Sequence, residues 1–513
     1  MKHLRMALCL LLCLCLCGCT AAPARLPDVT LPPMEPGPAA PVGDAALQYS
    51  ATVPLYLPSR DGQALLSFYQ TLTFTTGQHP AEAILRALLR HAGNDRVASL
   101  GGTVELTLSG NEAVVICNGI YTVNLASSAL LLSSEALYTA AQAITMTLCQ
   151  LEDIDYVTLL VAGSPAALDV SGNLPLGLLS PEPGLELPIL WEQFNAKRPP
   201  VGTLASATPL TATAALFFPL LDGTGIAAEA RSLSFPGQHP QQLIIALLEA
   251  LSSGAVSMET SLPPILPQLL FMPEVEELEG GGRRATLHFS TDTLEALEKR
   301  GCDPLCFFAA LTMTMVNFVP SLQQVCILLG NGALTNVPSE VHGARLFPGA
   351  LHTREHYLPL LMGQCTLFLP APSGLKAKSV TMHYTQARSP RALLTRLSQE
   401  GALPASLRDN DILGVSVHDG TLLINLSDRY GELLRAAADQ RIAAYSAVTT
   451  LCSALDVRRV RFYFGGYALD TLDGDLIWSG EFLYNPALVE SPHPTSGQAL
   501  GHLPQRGRRQ MVH

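Results

Sequence analysis

The sequence predicts an α+β protein: three tandem repeats of a small domain, each with a mostly antiparallel sheet covered by two helices. Three observations carry this reading. A short strand motif returns three times, as Leu55-Tyr56-Leu57-Pro58, Leu216-Phe217-Phe218-Pro219 and Leu367-Phe368-Leu369-Pro370. A helix started by proline follows each motif after about 20 residues. The order strand, strand, helix, hairpin, helix, strand then runs through all three, with hairpins in place of regular crossovers, the pattern of an α+β fold. The spacing of roughly 150 to 165 residues far exceeds that of solenoid units, so each repeat is expected to be a domain with its own core.

The first helix opens at Gly77-Gln78-His79-Pro80, Gly237-Gln238-His239-Pro240 and Arg388-Ser389-Pro390. Proline suits the first helical position and the residue before it caps, so His79, His239 and Ser389 are expected N-caps. The helices continue as Ile84-Leu85-x-x-Leu88-Leu89, Ile244-Ile245-x-Leu247-Leu248 and Leu393-Leu394-x-x-Leu397, an apolar face at helical spacing. Paired strands come next. Thr103–Leu108 and Ala113–Ile116 flank Gly110-Asn111, and Tyr121–Leu125 follows Asn118-Gly119. Val275–Leu278 and Ala285–Phe289 flank a triple glycine, and Ile412–Val417 and Leu422–Leu426 flank Asp419-Gly420, a strong hairpin signal. A second helix carries Thr147-Leu148-Cys149, Thr314-Met315-Val316 and Thr450-Leu451-Cys452. A last strand, Val157–Val161, Val325–Leu329 or Val460–Phe464, closes on Gly163, Gly330 or Gly465. The apolar run Leu305–Val319 is shorter than the roughly 20 residues of a membrane span and is bounded by Asp303-Pro304 and Pro320, so it is expected to be a buried helix.

The chain begins with Lys2 and Arg5, an apolar stretch from Met6 to Leu16 and the run Leu16-Cys17-Gly18-Cys19. That is a secretion signal, and its ending resembles the lipobox of bacterial lipoproteins. The resemblance implies cleavage before Cys19, lipidation of its sulfur (the diacylglycerol and palmitate type of modification) and an anchor on the extracytoplasmic face of the cell membrane. Two or more acyl chains, at about 0.8 kcal/mol per buried CH2, hold such an anchor stably. The expected organisation is a signal peptide over 1–18, a lipid-anchored spacer rich in Pro and Ala over 19–48, domains over 49–180, 210–341 and 360–490, and a disordered tail over 491–513. Pro-rich joins over 180–209 and 342–359 separate the domains.

A net charge of -12 with only 14% charged residues excludes the electrostatic footprint of a nucleic-acid binder. Seven cysteines follow the anchor: Cys117, Cys149, Cys302, Cys306, Cys326, Cys365 and Cys452. Their odd number and irregular spacing argue against a disulfide framework. Cys302 and Cys306 stand one helical turn apart without a His or a second Cys pair nearby, so no metal or other cofactor is expected. No nucleophile elbow, Walker loop or zinc-protease helix is present, and no catalytic residue is assigned. The position of Cys149 and Cys452 takes Val316 in the second repeat, which points to volume rather than a thiolate. Thr147, Thr314 and Thr450 recur on the apolar face of a helix, where a hydroxyl bonds back to the preceding turn. Asp169 and Asp470 share a position with Thr335. Tyr463, Tyr467, Trp478 and Tyr484 make an aromatic-rich end that either packs the last strand or forms a glycan platform.

The layout resembles the GerMN family of sporulation and spore germination domains. The likeness rests on the opening aromatic-Pro strand, the Pro-started helix, a strand ending in Asn124-Leu125 or Asn425-Leu426-Ser427, and a helix with Thr147-Leu148 or Thr450-Leu451 leading to a strand that closes on Gly. The second repeat departs, with Phe289-Ser290 and Thr314-Met315. The resemblance implies a role in spore formation or germination, as a protein-interaction module at the forespore envelope, and the missing catalytic set makes the expected role non-enzymatic. Its expected partners are envelope or sporulation proteins, with peptidoglycan a further candidate. The alternative is a ligand- or glycan-binding lipoprotein, or a regulator of a sensor kinase or cell-wall enzyme.

Overall fold

The structure is a computed structural model that describes residues 38–490 apart from 45–47, 76–78, 110–113, 117, 152, 169–172, 183, 185, 197–208, 259, 261, 263–264, 405–406, 438 and 456. The signal peptide, Cys19, most of the spacer, Cys117, Asp169 and the tail lie outside the described residues.

A two-residue strand, β1 (Gly43–Asp44), precedes the repeats. The first repeat comprises β2 (Gln48–Pro58), β3 (Leu65–Thr75), α1 (Pro80–Arg90), β4 (Val114–Ile116), β5 (Ile120–Leu125), α2 (Ser134–Leu148) and β6 (Tyr156–Val161). The second comprises β7 (Leu210–Pro219), β8 (Ile226–Phe235), α3 (Pro240–Ser252), β9 (Glu274–Glu277), β10 (Arg283–Phe289), α4 (Pro304–Val316), β11 (Leu322–Leu329) and β12 (Leu351–Thr353). The third comprises β13 (Met362–Ala371), β14 (Gly374–His383), α5 (Pro390–Gln399), β15 (Ile412–His418), β16 (Thr421–Leu426), α6 (Gln440–Leu455), β17 (Arg459–Phe464) and β18 (Phe482–Leu483).

All three follow one strand order. The opening motif is the end of a long antiparallel hairpin, β2-β3, β7-β8 or β13-β14. A second sheet pairs an antiparallel edge strand with a central strand, then the central strand with a parallel neighbour, as in β4-β5-β6, β9-β10-β11 and β15-β16-β17. Parallel neighbours need a long crossover, and α2, α4 and α6 supply it. An antiparallel partner closes the far side, with Leu179 bridged to Val157, His352 opposite Val325 and Phe482 opposite Val460. In the first repeat the expected strand Thr103–Leu108 reduces to a single bridge from Leu108 to Leu125.

The repeats do not each keep a separate core. One continuous cluster of buried apolar residues runs from Leu55 to Leu361 through the first and second repeats, while the third has its own. The cause is legible in β7. Leu216, Phe217 and Phe218 are all fully buried, so both faces of this hairpin strand are covered. Strands buried on both faces read as continuous apolar runs. The first repeat supplies part of the cover: Leu178 N–H donates to Thr213 O at 2.8 Å. Gly177 makes the approach possible, since a Cβ there would lie 2.8 Å from the same oxygen.

The joins are also structured. Helix Leu187–Ala196 packs Trp191 and Phe194 on Tyr138, with ring centroids 5.3 and 4.4 Å away. The segment 342–359 contains β12 and so belongs to the second sheet rather than to a join. Helix α4 is buried on every side from Leu305 to Val316, as expected for a core helix, and the Asp303 carboxylate caps it by accepting from Cys306 N–H at 3.0 Å. Among the described residues no helix is long and apolar enough to cross a membrane.

Candidate functional site

The polar residues that recur between repeats bind backbone. Thr147 Oγ1 accepts from Tyr56 N–H at 2.9 Å, Thr314 Oγ1 from Phe217 N–H at 2.9 Å and Thr450 Oγ1 from Phe368 N–H at 3.0 Å. The hydroxyl therefore reaches across to the aromatic of the opening strand, not to the turn before it, and ties the hairpin to the crossover helix. Asn124 Oδ1 accepts from Gly163 N–H at 2.9 Å and Asn425 Oδ1 from Gly466 N–H at 3.0 Å, pinning the turn after the parallel strand. Gly163 and Gly466 both take positive φ, +84° and +93°, which explains glycine there. His79, His239 and Ser389 all stand at helix N-caps. His79 Nδ1 accepts from Ala81 N–H at 3.1 Å and Ser389 Oγ from Ala392 N–H at 3.4 Å, whereas the His239 side chain makes no cap bond.

A cleft of about 1110 Å³ lies where the three repeats meet. The cap sets its chemistry. With Nδ1 accepting, His79 presents Nε2–H to Asp153 Oδ2 at 2.9 Å, and Arg388 of the third repeat donates to the same oxygen at 2.6 Å. Burial works against the Asp153 carboxylate, but the His79 hydrogen bond and the Arg388 charge outweigh it and hold its pKa down at about 2. On the opposite wall Glu229 accepts from Val256 N–H and Ser257 N–H, both at 3.0 Å, from Ser257 Oγ at 2.8 Å, and from Arg231. Burial raises its pKa, but the Ser257 and Val256 bonds and Arg231 bring it below the usual range. Arg231 also donates to Ala250 O, Ser253 Oγ and Gly254 O at the end of α3. Both charges are thus committed to holding a helix terminus. Asn118, at positive φ, donates to Ala228 O at 2.6 Å and fastens the first repeat to the second at the cleft floor. The third repeat contributes the exposed face of β13, where Gln364 and Thr366 point into the opening. None of these residues is singled out by the sequence as part of a cleft; His79, Asn118 and Arg388 read there only as cap, turn and helix-start positions. Asp153 and Arg388 are 235 positions apart, and no local signal links them.

The family model described as Germane, sporulation and spore germination, matches residues 54–167. That span holds the first hairpin, both helices and the three-stranded core of the first sheet. Residues 54–167 form a GerMN-like domain. Among solved structures, the chain is similar to the tandem GerMN domains of the sporulation protein GerM from Bacillus subtilis, at 16% identity over 55% of this chain and 92% of that one, with a TM-score of 0.21. It is also similar to the first GerMN domain of the same protein, at 21% identity over 22% of this chain and 84% of that one, with a TM-score of 0.18. No curated protein matches.

The second and third repeats share the strand order of the GerMN-like domain. The residues that suggested the resemblance, Asn124, Asn425, Thr147 and Thr450, are the ones that pin its turns and tie its hairpins. The remaining candidates are structural as well. Cys306, Cys326, Cys365 and Cys452 are free thiols, and Cys149 and Cys302 are buried. Burial pushes Cys365 up to about 11 and Cys452 up to about 12, and raises Cys306 further with help from Asp303. Among the described residues no three His, Cys, Asp or Glu side chains gather to hold a metal. Trp478 is 1% exposed and packs edge-on to Phe462 and Phe464, with Phe482 beside it, so the aromatic end is core rather than platform; only Tyr467 and Tyr484 reach solvent.

Proposed function

We propose that the chain is a lipoprotein anchored through Cys19 to the extracytoplasmic face of the cell membrane, acting as a non-catalytic protein-interaction module in sporulation or spore germination. Its GerMN-like domains fall within 49–180, 210–341 and 360–490, the second drawing its closing strand from beyond 341. The observation that carries the reading is the commitment of the recurring polar side chains. An enzyme built by duplication would keep its acid, base or nucleophile free in at least one repeat. Here the recurring Thr and Asn bind backbone, and Asp153, Arg388, Glu229 and Arg231 in the cleft brace helix ends and repeat junctions. Envelope or sporulation proteins are the proposed partners, with peptidoglycan as a further one.

The cleft favours a protein segment over a small ligand. Small-molecule pockets are clefts or cavities of about 300–1,000 Å³. This cleft exceeds that range and is walled by all three repeats. The experiment is a pair. Cys19→Ser should leave an unprocessed precursor or a released protein, and a mature-size protein still on membranes contradicts the anchor. Purified protein should turn over neither peptidoglycan nor peptide substrates. Turnover abolished by one side-chain change would reveal a catalytic site and overturn the non-enzymatic reading.

A further inference from the structure

The segment ahead of the first hairpin, expected to be spacer as far as residue 48, is seated on the third repeat. β1 lies parallel on β15, with Gly43 opposite Gly414 and Asp44 opposite Val415. Asn425 Nδ2 donates to Pro41 O at 2.9 Å. Arg391 forks onto the Asp44 carboxylate, Nη2 to Oδ1 at 2.8 Å and Nε to Oδ2. Gly414 leaves the room: a Cβ there would lie 2.5 Å from Pro41 O and 2.6 Å from Gly43 O. An unpaired strand edge, a carboxamide, a guanidinium and a missing side chain together read one short extended segment that ends in a carboxylate.

The second repeat lacks this acceptor. In β10 the place of Asn425 is taken by His288, one residue before the strand's last pair with its parallel neighbour. Phe271 stands edge-on over His288 with ring centroids 5.4 Å apart, where the third repeat has its open edge. The difference between Gly414 with Asn425 and Phe271 with His288 marks a site built in one repeat and covered in another.

We propose that the outer edge of the third sheet is a strand-acceptor site that takes Pro41–Asp44 either from its own chain or from a second molecule, and that exchange of this strand joins two molecules. Every contact made within one chain is available between two, so the closed and exchanged forms differ only in the hinge and in effective concentration. The hinge is short. Residues 45–47 alone separate β1, on the third repeat, from β2, in the first. Short hinges are the ones that favour exchange. The inference stands on this geometry and does not depend on the sporulation reading.

The test deletes residues 45–47 from the full chain in detergent. Residues 44 and 48 would then have to stand about 3.8 Å apart, which closes the route within one chain and leaves the route between two. Light scattering should show the parent as a monomer with a dimer that grows with concentration, and the deletion variant as a dimer. Adding Gly414→Val, which fills the space of Pro41 O, should return the deletion variant to monomer. If Gly414→Val loses its fold by circular dichroism, Asp44→Arg removes the carboxylate held by Arg391 and sets two guanidinium groups against each other without touching the Asn425 bond to Gly466, and should do the same. A deletion variant that stays monomeric, or a dimer that survives these substitutions, overturns the proposal.

Discussion

Thr450 illustrates how a side chain that looks like a nucleophile candidate can be architecture. Its Oγ1 accepts from Phe368 N–H in a strand of the third hairpin, and Thr147 and Thr314 do the same work in the other repeats. Thr450→Val keeps the volume and strands that N–H, so it should cost about 1–3 kcal/mol in urea unfolding, with Thr450→Ser costing less. Asp153 makes a second residue-level prediction. Its folded pKa of about 2 lies below its ordinary 3.8, so the carboxylate stabilises the folded state above pH 4 and that contribution fades as pH falls towards 2. Asp153→Asn should be less stable than the parent at neutral pH, and its unfolding midpoint should fall less steeply between pH 4 and pH 2. Equal slopes for the two proteins would show that the His79–Asp153–Arg388 junction carries no stability.

At the scale of elements, much was readable because the signals are local. Proline at the first helical position, an apolar face at 3.6-residue spacing and Asp419-Gly420 between two apolar runs each act within a few residues. The bounds of α1, α3, α5 and the β15-β16 hairpin follow from them. The parallel pairing of β5 with β6, β10 with β11 and β16 with β17 was hidden, because it depends on where a helix returns the chain. So was the collapse of Thr103–Leu108, whose alternation suits a strand but which pairs only at Leu108. Caps allow an internal comparison. His79→Ala removes the Ala81 cap bond and the contact to Asp153, and should cost about 1 kcal/mol. His239→Ala removes no cap bond and should lie within about 0.5 kcal/mol of the parent in the same thermal or urea melts.

Across the whole molecule, the repeats were visible and their assembly was not. Contacts such as Arg388 with Asp153 and Asn425 with Pro41 join residues 235 and 384 positions apart, and nothing in the local pattern of either partner announces the other. The fully apolar motif of the second repeat, Leu216-Phe217-Phe218, was a signal for the shared core that a repeat-by-repeat reading passes over. The assembled cleft is where the account places partner binding. Gln364 and Thr366 are exposed on β13 at its mouth, apart from the networks that brace it. The most direct measurement is therefore partner recovery by cross-linking and pull-down from membranes of sporulating cells, comparing the full chain with Gln364→Arg/Thr366→Arg. Proteins recovered with the parent should be lost or strongly depleted with the variant while its melting temperature stays unchanged; recovery of the same proteins in the same amount by both would contradict the account.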